Sequence, residues 1–264
     1  MIKPLIKASV AIAVMAALAG CGKGKTSVTL AGSTAFQPFA EKLAEKFMLS
    51  DPNVNITVQG GGSAVGIQSA LSGAADIGMA DLVHLPPEAA NLKSIVVAKD
   101  GIVVVVHPSN KVNGLTMDQA RGLFNGTVKN WKELGGAATP VTVVSREAGS
   151  GTRTSFEQIV GGFKLTDNAI IQDSNGTIRE TVANDANAVG YLSHGLLNDK
   201  IKALTIDGVS CTPNEIAKGS YKLVRPIFFL LKAEPQGEMA AFINYVLSAE
   251  GQNILQSSGL IPAK

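Results

Sequence analysis

The stretch VTVVSREAGSGTRTSF occupies residues 141–156. Its first four residues are all β-branched, which marks a strand with both faces covered. From Thr152 onward the apolar spacing becomes helical, through to about residue 160. Between the two lie Arg146, Gly149, Ser150 and Gly151. A strand running through a glycine-rich turn straight into a helix is a βα unit. The start of such a helix presents unpaired backbone N–H groups, and its dipole favours negative charge. Helix capping accounts for Ser150 by itself. It does not account for an arginine on the same loop, whose planar fork binds oxyanions through two parallel hydrogen bonds. The stretch therefore reads as a holder for something small and negative.

Outward from this unit the same alternation fills the chain. Strands are expected at 27–31, 54–59, 76–79, 95–98, 102–107, 141–144 and 188–191. Helices are expected at 36–48, 64–72, 117–124, 152–160, 177–184, 237–247 and 249–256. A long strand at 222–231 is interrupted by Pro226. The fold class is α/β, with largely parallel sheets covered on both faces. Two series of alternating elements imply two lobes. Lobe 1 is discontinuous, 27–106 with 226–264, and lobe 2 is 107–225. Residues 103–107 lead out of the first lobe and 225–229 lead back. Ligands of open α/β folds sit at the carboxyl ends of strands, so a cleft between the lobes is the expected site.

Three more loops fall at such strand ends. Ala31-Gly32-Ser33-Thr34-Ala35 puts two hydroxyls at a helix start, a pattern that capping alone explains. Gln59-Gly60-Gly61-Gly62-Ser63 has three consecutive glycines, more backbone entropy than a simple turn needs. Asp76-Ile77-Gly78-Met79-Ala80-Asp81 starts its strand at Asp76 and ends it, on the cleft side, at Asp81.

The amino terminus has a different character. Lys3 and Lys7 precede an apolar run from Ala8 to Leu18, too short for a comfortable membrane span. Leu18-Ala19-Gly20-Cys21 resembles the bacterial lipobox. The resemblance implies a signal peptide at 1–20, a lipidated Cys21, a tether at 21–26 and an extracytoplasmic protein anchored to a membrane. Gly22-Lys23-Gly24-Lys25-Thr26 is not a P-loop, because Ala19 stands where the motif needs glycine. The full chain carries formal charge +2, and losing Lys3 and Lys7 brings the basic residues down to the 21 acidic ones. A balanced charge gives no reason to bind nucleic acid. Cys211 is the one other cysteine, read as a small buried hydrophobe. No metal-binding spacing occurs, and no metal or cofactor is expected.

Gly32-Ser33-Thr34, Gly61-Gly62-Ser63, Asp76-Ile77-Gly78-x-x-Asp81 and Arg146-x-x-Gly149-Ser150-Gly151-Thr152 together resemble the phosphate-binding proteins that feed bacterial ABC importers. The resemblance covers essentially the whole mature chain. It implies a two-lobed type II periplasmic binding protein, not an enzyme, that captures inorganic phosphate and delivers it to an ABC permease. It also implies phosphate contacts from Thr34, the Ala35 amide, Ser63, Asp81, Arg146, Ser150, Gly151 and Thr152. Ala35 departs from longer members, which carry an aromatic residue there; an amide contact survives that change. Arg153 either lines the cleft or pairs with an acid.

Asp81 is the informative member of this set. A carboxylate beside a bound oxyanion repels it unless the ligand brings a proton. Phosphate near neutral pH always has an O–H; sulfate, molybdate and tungstate have none. Rival readings are a binding protein for one of those oxyanions, a phosphate sensor, and a secreted hydrolase using Ser63 or Ser150. The hydrolase needs a positioned base, and His84, His107 and His194 sit in no catalytic motif.

Overall fold

The computed structural model describes residues 25–263. The signal sequence, Cys21 and most of the tether lie outside the described residues. In chain order the first half of the fold is β1 (Thr26–Gly32), α1 (Gln37–Ser50), β2 (Val54–Gly61), α2 (Ser63–Ser72), β3 (Ile77–Asp81) and β4 (Lys93–Val106). There follow β5 (Gly114–Leu115), α3 (Met117–Phe124), β6 (Thr142–Arg146), α4 (Gly151–Ile159), β7 (Ile170–Gln172), α5 (Asn175–Asn184) and β8 (Ala188–Ser193). The chain closes with β9 (Lys202–Ala203), β10 (Thr205–Ile206), α6 (Pro213–Ala217), β11 (Val224–Leu231), α7 (Gly237–Leu247), α8 (Ala249–Ser257) and β12 (Ile261–Pro262).

The α/β class holds, and the sheet is mixed rather than largely parallel. Its order is β2-β1-β3-β11-β4-β8-β6-β7, with β9 and β12 paired to β4. The outer pairings β1–β2, β1–β3, β6–β7 and β6–β8 are parallel. The central pairings β11–β3, β11–β4 and β4–β8 are antiparallel. The reason is topological: strands that leave one half and return to it run in opposite directions where they meet.

Two expectations merge in β4. The runs at 95–98 and 102–107 are one strand, unbroken by Asp100-Gly101. Residues 93–101 pair with β11, and 102–106 pair with β8. One strand thus serves both halves. Its segment Ile102–Val106 is fully buried, and each such valine or isoleucine contributes about 1.5–3 kcal/mol relative to exposure. Pro226 does not interrupt β11, which runs continuously through it. Pairing with β3 begins only at Ile227, so at Pro226 the strand has a neighbour on one side only, where a missing N–H is tolerated.

Smaller shifts follow from local bonding. The first strand starts at Thr26, inside the expected tether, because Thr26 donates to the Asn53 carbonyl. Asp76 precedes β3 rather than starting it; its carboxylate accepts from the Thr29 N–H at 2.7 Å and ties β3 to β1. Two main cores result. One gathers Val28, Phe36, Leu43, Ile77, Phe229 and Phe242; the other gathers Val104, Phe124, Trp131, Phe156, Ile178 and Tyr191. Trp131 is buried in the second, its indole N–H donating to the Asn187 carbonyl at 2.9 Å. Cys211 packs in the same core, and burial pushes its thiol far above the ordinary range.

Candidate functional site

The ends of β1, β2, β3 and β6 converge between the two halves, each followed closely by a helix or turn. Gly62 caps α2 with φ of 89°, a conformation open to glycine. A side chain there would also meet the Gly149 carbonyl at 2.9 Å. Bare backbone lets the halves touch: the Ala64 N–H donates to the Gly149 carbonyl at 3.1 Å. Gly151 is tighter still, since a Cβ would lie 2.1 Å from Ser63 Oγ and 2.6 Å from the Asp81 carbonyl. The start of α4 therefore sits directly on the end of β3.

Arg146 is the last residue of β6 rather than a loop residue, and it is buried. Its backbone N–H approaches Tyr191 Oη at 3.4 Å, and the same hydroxyl shares a 2.7 Å bond with Ser145 Oγ. Burial pushes the Tyr191 phenol up to about 12, so it stays neutral. Its ring stacks on Phe156 of α4 with centroids 4.4 Å apart, which fixes helix and strand together. The guanidinium is gripped by Glu147 through two bonds of 2.8 Å, from Nε to Oε2 and from Nη2 to Oε1. Nη2 also reaches Thr34 Oγ1 and the Asp173 carbonyl, both at 3.2 Å. Among the described residues Nη1 has no partner although it is buried. A buried, charged N–H donor without an acceptor is costly, and it is the group that an oxyanion would satisfy.

Asp81 is also buried. Ser63 Oγ donates to Oδ1 at 2.7 Å and accepts the Asp81 N–H at 3.1 Å. Thr152 Oγ1 is 3.4 Å from Oδ2. Ser150 caps α4, its Oγ accepting from the Arg153 N–H at 3.3 Å, which leaves its own O–H to donate elsewhere. Ser33 Oγ accepts from the Phe36 N–H at 3.1 Å, a turn that leaves Thr34 and Ala35 at the mouth of α1. Arg153 pairs with an acid: Nε meets Glu157 at 2.7 Å, and Nη1 donates to the Arg146 carbonyl at 2.9 Å.

Contacts that span both halves join Arg146 to Thr34, and Ser63 and Asp81 to Gly151 and Thr152, while Ser150 caps the helix that carries the last two. A profile of the PBP superfamily domain matches residues 19–250. The phosphate-binding protein PstS of Bacillus subtilis is 35% identical over 245 residues, covering 91% of this chain and 82% of that one. The chain belongs to the PstS phosphate-binding proteins of the PBP superfamily. A Clostridium perfringens protein solved with bound phosphate superposes with TM-score 0.88 at 40% identity, covering 90% of this chain and all of that one, 100%. An ABC-type phosphate transport receptor from Vibrio cholerae superposes with TM-score 0.75 at 32% identity over 90% of this chain and 100% of that one. These matches carry the two-lobed α/β binding-protein fold with its cleft between lobes.

In this PstS-family chain four residues of the site went unread in the sequence. Asn175, at the start of α5, is buried with Nδ2 3.4 Å from both Thr34 Oγ1 and Thr152 Oγ1. Glu147 neutralises Arg146. Arg225, on β11, places Nη2 2.6 Å from Asp81 Oδ2 and 2.9 Å from Asp100 Oδ2. Burial pushes the Asp100 carboxyl above its ordinary value, against the pull of Arg225 and of Ser193 Oγ at 2.8 Å. A signal for two of them was present: Asp100 and Arg225 are charges set inside apolar strand sequence, where charges survive only in pairs. Asn175 had no such mark. Among the described residues no histidine bonds to Ser63 or Ser150; His107 Nδ1 meets Ser109 and His194 Nδ1 meets the Gly259 carbonyl. No group of metal-ligating side chains occurs among those residues either.

Proposed function

We propose that the protein captures inorganic phosphate between its lobes and delivers it to an ABC permease as a binding protein, without catalysis. The observation that carries this reading is the linkage of Arg146, with a buried unpartnered Nη1, to Asp81, a buried carboxylate, through Thr34, Asn175 and Thr152. The first supplies charge for any oxyanion; the second accepts a proton only from one that has it. Facing sulfate, Asp81 and an oxyanion lone pair would meet with no proton between them, at a cost of about 1–3 kcal/mol or more. Molybdate and tungstate meet the same obstacle. The contact set is Thr34, the Ala35 amide, Ser63, Asp81, Arg146, Ser150, Gly151 and Thr152, with Asn175 added from its position against both threonines.

The lobes divide at the two crossing strands. Gly101 is the last β4 residue paired to β11 and Ile102 the first paired to β8. This change of partner within β4 supports a division of the chain along that strand, with lobe 1 as 27–106 and 226–264 and lobe 2 as 107–225. Anchoring through a lipidated Cys21 and an extracytoplasmic location rest on the lipobox resemblance. The match to a phosphate-binding PstS supports the ligand, and the matches to binding proteins of phosphate ABC transport support the partner.

Calorimetry on anion-free protein tests the reading. Phosphate should bind one to one, with no heat from sulfate. Asp81→Asn should weaken phosphate binding and narrow the gap to sulfate. Heat from sulfate or molybdate but not from phosphate would discard the ligand and keep the fold.

A further inference from the structure

Arg225 has no place in the set of residues that reach the cleft, yet it holds the one that discriminates. It is fully buried on β11. Its register partner across β4 is Asp100, and the neighbouring Gly101 is the last residue of that pairing. The Arg225–Asp100 pair therefore stands where the chain passes from one half to the other. Asp81 ends β3, opposite Ile227 of the same β11. From this position Arg225 reaches both carboxylates with one terminal nitrogen, at 2.6 Å and 2.9 Å. Its Nε and Nη1 have no partner among the described residues.

We propose that Arg225 is a specificity-determining positioning residue: by holding Asp81 as a carboxylate from the crossing strand, it makes the cleft accept only oxyanions that carry a proton. The inference rests on the oxyanion-binding reading above and deepens it. A buried carboxylate next to a bound anion, with no counter-charge, takes up a proton. Protonated Asp81 would donate a hydrogen bond and would serve sulfate as well as phosphate. The groups facing Asp81 are few. Ser63 comes from α2, Thr152 from α4 and Arg225 from β11. Asp100 on β4 lies behind Arg225. Arg225 is the one cation in contact with Asp81 among the described residues, so the counter-charge of that carboxylate comes from it.

Asp100 fixes the arginine in turn. Ser193 Oγ donates to Asp100 Oδ1 at 2.8 Å, and the Ser193 N–H donates to Asn175 Oδ1 at 3.1 Å. Asn175 Nδ2 then faces Thr34 and Thr152. The chain of contacts leaves Asp81 through Arg225 and returns to the cleft through Asn175. It links the crossing strands to both sides of the site.

The test is calorimetry of the full chain with phosphate and sulfate from about pH 5 to about pH 8, where the two charge states of a released carboxylate would separate. Wild type should reject sulfate throughout. In Arg225→Met the phosphate-to-sulfate ratio should fall at least about tenfold, most at the acid end, as expected when a buried charge loses its partner. Arg225→Lys should restore much of it. A folded Arg225→Met protein with the wild-type ratio at every pH overturns the proposal. A second readout needs no arginine variant: infrared difference spectra of wild type with and without phosphate, with Asp81→Asn identifying the band. A carboxylate signal supports the proposal, and a protonated carboxyl signal at neutral pH overturns it even if Arg225→Met does not fold. Absence of phosphate heat in wild type would instead reject the ligand, a separate outcome.

Discussion

Two buried arginines stand in the contact network of the candidate site, and their partners differ. Arg146 is matched by one carboxylate, Glu147, and keeps Nη1 unpartnered. Arg225 stands between two carboxylates, Asp81 and Asp100. One is a donor awaiting an acceptor. The other is a counter-charge gripped by two carboxylates at Nη2, with Nε and Nη1 left unpartnered among the described residues. Counted together, these five side chains carry formal charge of about −1, so their net charge does not attract an anion. Attraction falls to the helix amides and hydroxyls, which act at short range and read shape. On the proposed reading, charge sets selectivity and dipoles supply much of the affinity.

Substitutions at the two arginines should therefore fail differently. Arg146→Ala should give the largest effect, a loss of about 3 kcal/mol or more, roughly a hundredfold, because it removes the free donor and leaves Glu147 unpaired. The loss should fall on phosphate and sulfate alike in a competition assay. Equal binding before and after the change would show that Arg146 is structural.

Gly151→Ala comes next. Its Cβ would press on Ser63 Oγ and on the Asp81 carbonyl, so the β3–α4 contact must open. Phosphate affinity should drop by about tenfold or more, with a native circular dichroism spectrum, since overpacking typically costs about 1–3 kcal/mol. Undiminished affinity would mean that the halves need not meet here.

Glu147→Gln should have the smallest effect, and its sign is the informative part. Half of the neutralising grip on Arg146 disappears, so all oxyanions should bind tighter by about twofold to fivefold, within the range of a partly screened charge pair. The phosphate-to-sulfate ratio should stay put, in contrast to the ratio change expected at Arg225. A shifted ratio would place discrimination on the Arg146 side and break the comparison.

Much of the frame was legible because local patterns carry it. The β-branched run ending in Arg146 and the glycine-serine opening of α4 announce strand, turn and helix within sixteen letters. The helix at Met117–Phe124 is placed to the residue, helped by its Thr116–Gln119 capping box. The break foreseen at Asp100-Gly101 was wrong for a physical reason. A charge and a glycine read as loop in isolation, but Asp100 is buried against Arg225, 125 residues away. Pro226 misled in the same way, because strand neighbours determine whether a missing N–H matters.

Residue types and their spacing were enough to announce βα units, helix starts rich in amides and hydroxyls, an arginine for charge and an aspartate to question the ligand. Those are properties of short segments, and short-range sterics and hydrogen bonding dictate them. The antiparallel centre of the sheet, the single strand shared by both halves and the placement of Arg225 against Asp81 came from packing. Each depends on contacts between residues far apart in the chain, and a buried ion pair is recognisable only once burial itself is known.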